Sequence, residues 1–212
     1  MASPREQKNA GIRDEIAALK RTRIVGAAIE LFYEKGYENT TLDAVAERLG
    51  VTKPFIYSHF SSKAELLADI SSRAITLSLE AIDSVIPLKL SPTEKLRTLG
   101  ERFVTAVLTA QMDLAIFSRE EKNLLKEDFD RINEKRRDFD RKLTQLLRDG
   151  VKAGEFRLND PHIAALAIGG MVSWAYVWYR PGGRLSLEEV AGEMSKLLLS
   201  MVGAAPQPDK RG

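Results

Sequence analysis

The residues in this chain best suited to chemistry lie between Arg48 and Lys63. That window contains no acid, and it carries Arg48, Lys53 and Lys63 together with the hydroxyls of Thr52, Tyr57 and Ser58 and the imidazole of His59. Such a set suits a polyanion. Lysine and arginine displace counterions from phosphates, hydroxyls fix register, and a few side chains can reach base edges in a groove. The chain as a whole is nearly neutral, with 32 basic and 30 acidic side chains and a formal charge of +2. No global field therefore draws it to nucleic acid, and attraction must come from this local cluster.

Other chemistries are poorly served. There is no cysteine, and the two histidines, His59 and His162, have no neighbours at ligand spacing. Disulfides, thiolate metal sites and histidine metal sites are therefore not expected. Neither a phosphate-binding glycine loop nor a nucleophile elbow occurs, so the sequence predicts no enzyme, no cofactor and no metal. The charged run Arg119–Arg141 reads as a solvated helix face rather than a set of catalytic carboxylates. The amino terminus, MASPREQKNAGIRDE, lacks an apolar signal core, and no apolar run is long enough to span a bilayer. A soluble, cytoplasmic protein is expected.

The elements that must hold the window are helices. Residues 1–12 are expected to form a mobile arm, followed by a helix from about Asp14 to Lys35 whose Ile24, Ala28, Leu31 and Phe32 recur at helical spacing. Gly36 stops it, and Thr40 or Thr41 caps the next helix, with Leu42, Val45, Ala46 and Leu49 inward. Gly50 supplies the positive φ of a tight turn, and Pro54 fits the first turn of the following helix. Two short helices about a Gly50-Val51-Thr52 turn make a helix-turn-helix, a unit that docks in a major groove. Ser62 and Glu65 suggest a capping box opening a long helix that runs to Pro87. Further boxes start at Ser91 and Ser186. Between them lie stripes through Leu96, Leu99, Phe103 and Val107, then a break near Gln111–Asp113. Beyond the break come a stripe from Leu125 to Val151 and an apolar helix from Asp160 to about Tyr179. No strand-like alternation appears, so the fold class is all-α. The expected domains are 1–67 for the arm and helix-turn-helix, 68–205 for a helical effector-binding and dimerisation domain, and 206–212 for a disordered tail.

The segment Arg21–Leu67 resembles the N-terminal domain of the TetR family of bacterial transcriptional regulators. The likeness is carried by Ala27-Ala28, Leu31-Phe32, Gly36-Tyr37, Thr40-Thr41, Val45-Ala46, Gly50-Val51-Thr52, Tyr57, His59-Phe60, Lys63 and Leu66. It implies a recognition helix over Lys53–His59 and two groups of contacts. Thr41, Arg48, Tyr57, His59 and Lys63 would position phosphates, while Thr52, Lys53, Phe55 and Ser58 would read bases. Pro54 stands where relatives often have glycine, which bears on how deeply the helix inserts. Val45, Leu49, Val51, Ile56 and Phe60 would pack the unit against Phe32.

The rest of the chain is expected to dimerise and to bind an effector. Residues 161–179 are apolar nearly all round, and Gly169, Gly170 and Ser173 allow a close helix approach. The resemblance implies that the last two helices form a four-helix dimer interface. Candidate effector contacts are Phe103, Val107, Gln111, Phe117, Arg136, Met171, Trp174 and Trp178, with core packing the alternative for the apolar ones. Arg136 interrupts an apolar stripe, where it either snorkels or meets an anion or a carboxylate. The stretch AIGGMVSWAYVWYRPGGRLSLEEVA is similar to the C-terminal signature of TetR-type regulators that sense acyl-CoA thioesters. The sequence thus predicts a homodimeric, ligand-responsive repressor on a palindromic DNA operator, with an acyl-CoA-type effector. The alternative is a constitutive dimeric DNA-binding protein without a ligand.

Overall fold

A continuous run of good helix formers carries the first helix, α1, from Pro4 to Lys35. It therefore begins well before Asp14: Pro4 stands at its first position, where proline is tolerated, and the polar residues that follow, expected to form a mobile arm, contain no interior breaker stronger than Gly11. The computed structural model describes residues 4–204, with side chains from residue 15 onward. The tail expected at 206–212 lies outside the described residues. Gly36 ends α1 at φ 79°, and its amide bonds the Phe32 carbonyl at 3.0 Å.

Helix α2 spans Leu42–Leu49 and α3 spans Lys53–Tyr57. Thr41 caps α2 by accepting from the Ala44 amide at 3.1 Å. Gly50 turns the chain between the two helices at φ 65°, as its position in the sequence predicts. Helix α4 spans Lys63–Asp83, and its start departs from the expected box. Ser62 accepts from the Glu65 amide, but Glu65 reaches back to the amide and hydroxyl of Ser61, both at 2.8 Å. These amide and hydroxyl bonds hold the Glu65 carboxyl below the ordinary carboxylate range.

Helix α5 spans Pro92–Thr109 and α6 spans Gln111–Glu120, separated only at Ala110. A 3₁₀ turn at Glu121–Asn123 leads to α7, Lys126–Lys152. Helix α8 spans Pro161–Ser173, α9 spans Ala175–Trp178, and α10 spans Leu187–Met201. The apolar helix expected to reach Tyr179 is thus interrupted at Trp174. The boxes at Ser91–Glu94 and Ser186–Glu189 are complete in both directions, and Asp160 caps α8 through the amides of His162 and Ile163. Among the described residues there is no strand, and no helix is long and apolar enough to cross a membrane.

Two compact units result. The first runs to Ser71 and includes Ile116–Leu125; the second comprises Ser72–Ala115 and the chain from Lys126 onward. Ile24, Leu31, Phe32, Val45, Ile56, Phe60, Leu66 and Leu67 form the core of the first, all essentially inaccessible. In the second, Leu96, Leu99, Phe103 and Val107 of α5 pack with Phe139, Leu143 and Leu147 of α7 and with Val190, Met194 and Leu198 of α10. Phe103 and Phe139 stack at 4.6 Å between centroids.

Candidate nucleic-acid interface

The α2–turn–α3 unit buries one face and presents the other. Ile56 and Phe60 are sealed in the core of the first unit, and Leu49, Val51 and Phe55 pack partly against it. Thr52, Lys53, Pro54, Tyr57 and Ser58 all face solvent, and Tyr57 stays 53% exposed, high for an aromatic side chain. The solvent-facing surface of α3 thus brings an aromatic ring, hydroxyls and an ammonium together where an incoming ligand can reach them.

Each candidate side chain has a defined local setting. Thr41 uses its oxygen as an acceptor in the α2 cap, which leaves its hydroxyl hydrogen free to donate outward. Thr52 precedes α3 without forming a cap bond. The Ser58 hydroxyl donates to the Phe55 carbonyl at 2.7 Å. Phe55 meets His59 edge to face at 5.2 Å, and the Lys20 ammonium lies 5.7 Å from the centre of the Phe55 ring.

The three cations of the window are all engaged internally. Lys53 pairs with Asp43 at 2.6 Å, and this carboxylate raises the lysine above its ordinary value. Arg48 binds Glu34 at 2.7 Å and Glu30 at 3.1 Å, joining α2 to α1. The Lys63 ammonium donates to the carbonyls of Tyr37 at 2.8 Å and Glu38 at 3.3 Å, and it sits 4.2 Å over the Tyr37 ring. An ammonium has three N–H donors, so one remains for an incoming phosphate.

Arg21 is the main positioning residue that sequence reasoning missed. Its guanidinium donates to Asp69 at 3.1 Å and to the His59 carbonyl at 3.0 Å, and it stacks on the Phe60 ring at 4.0 Å. It thereby ties the end of α3 to α1 and α4. The partners lie 38 to 48 residues away, a separation that no local pattern reports. Asp43 was also missed; its second oxygen is buried without a partner.

The effector candidates are scattered. Phe103 and Val107 are core residues of the second unit, and Phe117 is buried within the segment belonging to the first. Gln111 donates from its amide to the carbonyls of Tyr176 at 2.8 Å and Tyr179 at 2.9 Å, holding the α9 end. Arg136 is half-buried on α7 and acts electrostatically on Asp140. Met171, Trp174 and Trp178 line an open apolar groove of about 320 Å³ with Val190, Met194 and Leu197. Trp174 is 61% exposed and Trp178 49%, so these rings do not fill the core.

Comparison with known proteins agrees with this geometry. Residues 24–70 match the family model described as bacterial regulatory proteins, tetR family, and residues 89–202 match the model described as Tetracyclin repressor-like, C-terminal domain. The chain is 27% identical to the HTH-type transcriptional repressor KstR2 of Rhodococcus jostii strain RHA1, over 85% of this chain and 89% of that protein. Its fold is similar to that of the TetR family regulator PfmR from Thermus thermophilus. The TM-score there is 0.76 at 32% identity, covering 84% of this chain and 97% of that one. It is also similar to AibR, solved in complex with isovaleryl coenzyme A and operator DNA, with a TM-score of 0.71 at 27% identity over 85% and 98% of the two chains. With a three-helix reading unit, an exposed α3 face and both family models in register, this chain belongs to the TetR family of DNA-binding transcriptional regulators and is not an enzyme.

Proposed function

We propose that the chain works in the cytoplasm as a homodimeric repressor that holds a palindromic operator and releases it when a small hydrophobic or acyl-CoA-type effector binds the second unit. The observation that carries DNA reading is the solvent-facing surface of α3, with Thr52, Lys53, Pro54, Tyr57 and Ser58 outward. Lys53, Phe55, Thr52 and Ser58 are the proposed base readers; Thr41, Tyr57, His59 and Lys63 position phosphates. Arg48 contributes to phosphate binding only by exchanging one of its α1 carboxylates.

Dimerisation rests on the exposed apolar groove between α8, α9 and α10, which a second copy would cover. Two-fold symmetry then matches paired half-sites. Met171, Trp174 and Trp178 serve this contact, whereas Phe103, Val107, Gln111 and Arg136 remain the effector candidates of the second unit; Phe117 belongs to the first unit and is not among them. The effector class is supported by the likeness to AibR. Helix α4 is the proposed transmitter, since it is unbroken from Lys63 to Asp83 and belongs to both units. A ligand acts through it by binding one of two geometries more tightly, and only that difference in affinity can shift the equilibrium.

The test is selection of bound DNA followed by anisotropy titration of the selected operator with a panel of acyl-CoA thioesters. One thioester should weaken operator binding at least about tenfold, within the usual range of allosteric coupling. If operator affinity stays constant across the panel, the protein is a constitutive dimeric DNA-binding protein.

A further inference from the structure

One stripe of α7 is basic and concave. Arg137, Arg141 and Arg148 are spaced by four and seven residues and share a helix face. The helical rise places the first and last about 16 Å apart along the axis. They line a cleft of about 300 Å³ that His162, in the first turn of α8, closes from the other side. The floor is polar and fixed: Thr144 is buried, and its hydroxyl lies 3.5 Å from His162 Nδ1.

The arginines of this stripe are only partly paired with acids. Here Arg141 pairs with Asp138, but Asp149 is bound by the Gln145 amide at 2.9 Å. Neither Arg137 nor Arg148 has a carboxylate partner among the described residues. The one acid in the cleft, Asp140, is pushed up by burial, with His162 and Arg136 opposing the shift. It also lies beside α8, 3.9 Å from where a Cβ on Gly169 would stand.

We propose that this α7–α8 cleft is an anion site for phosphate groups, taking the phosphorylated nucleotide end of a coenzyme A thioester. The chemistry is that of guanidinium forks binding phosphate oxygens in pairs, and the length of the stripe suits two phosphate groups rather than one. The choice of coenzyme A over free phosphate rests on the acyl-CoA reading above; the anion site does not. Because α8 carries part of the proposed dimer surface, occupancy of the cleft bears directly on the position of that helix.

Calorimetric titration of the full chain tests this with coenzyme A, 3′-dephospho-coenzyme A, isovaleryl-coenzyme A and inorganic phosphate as probes. The comparison protein is the double variant Arg137→Gln/Arg148→Gln, whose melting transition should match the wild type because both positions are exposed. Wild type should bind coenzyme A about tenfold more tightly than the dephospho form. The variant should lose that tenfold and show no further loss on removal of the 3′-phosphate. Arginine-dependent binding of inorganic phosphate with no binding of any thioester would support the anion site, identify free phosphate as its occupant and overturn the effector reading. Isovaleryl-coenzyme A binding equally to both proteins would keep the effector reading and overturn this site. Absence of arginine-dependent binding for every probe would overturn it as well.

Discussion

Lys63 shows how a single ammonium serves both fold and function. Two of its donors hold the Tyr37 and Glu38 carbonyls, so Lys63→Ala should lower the melting temperature of the reading unit as well as weaken DNA binding. Loss of one phosphate contact lowers the salt slope of log K by about 0.9 on B-DNA, uniformly across sequences; an unaltered slope in salt titrations would remove Lys63 from the phosphate contacts. Lys53 makes the opposite case, because Asp43 competes with DNA for its charge. Asp43→Asn should raise affinity for non-specific DNA. Lys53→Ala should instead narrow the gap between operator and altered half-site, by about 1–3 kcal/mol if the contact is a good one. Unchanged discrimination would place Lys53 outside base readout. Asp113, buried in α6 and 3.5 Å from Arg73, carries a pH dependence. Burial raises its carboxyl above the ordinary value and Arg73 only partly offsets this. Between the ordinary and the raised value the folded form holds a proton that the unfolded form has released. Stability therefore falls as pH rises through that window and stays lower above it. Asp113→Asn should flatten this slope in melting curves and raise the melting temperature at neutral pH; a variant keeping the slope would assign it to another group.

At the scale of elements, close approaches decide what tolerates change. A Cβ at Gly100 would stand 2.8 Å from Ser195 Oγ and 3.1 Å from its Cα, where Ser195 donates to the Arg97 carbonyl. Helices α5 and α10 therefore meet at a glycine–serine contact, and Gly100→Ala should cost about 1–3 kcal/mol by overpacking. Gly150 is the stricter position, since its Cβ would overlap the buried Phe156 ring. Chemical denaturation should show Gly150→Ala losing more stability than Gly100→Ala; equal losses would mean the Phe156 ring swings aside. Much of this architecture was legible because its signals are local. Ser91 with Glu94 and Ser186 with Glu189 specify helix starts within four residues, and Gly50 marks a turn that demands positive φ. The misread features depend on weaker or distant terms. The early start of α1 rests on propensity alone, Glu65 chose Ser61 over Ser62 for its backward bond, and α8 runs through Gly169-Gly170 yet breaks at Trp174, where no proline or glycine stands. The reading surface was legible as a set of residues. The internal pairing of Arg48, Lys53 and Arg21 was not, because their partners come from other helices.

For the whole molecule, the near-neutral charge and the exposed tryptophans belong to one argument. A monomer with so little net charge and a single short α3 offers few phosphate contacts, so affinity for an operator must come from two copies acting together. The apolar groove of Trp174, Trp178, Val190 and Leu197 is the surface able to join them, since large exposed aromatic rings are costly to leave in water. Trp178→Asp combined with Leu197→Asp places two charges there without touching the core, as both side chains are about half exposed. Burying unpaired carboxylates in an interface is strongly unfavourable, so the double variant should sediment as a monomer at concentrations where the wild type is dimeric. Its melting transition should shift by the amount that dissociation alone removes, and it should lose operator binding while keeping weak, salt-sensitive association with any DNA. A variant that stays dimeric would move the interface elsewhere on the second unit. A monomer that still bound the full operator with wild-type affinity would show instead that one reading unit suffices, and the symmetry argument for a palindromic site would fall with it.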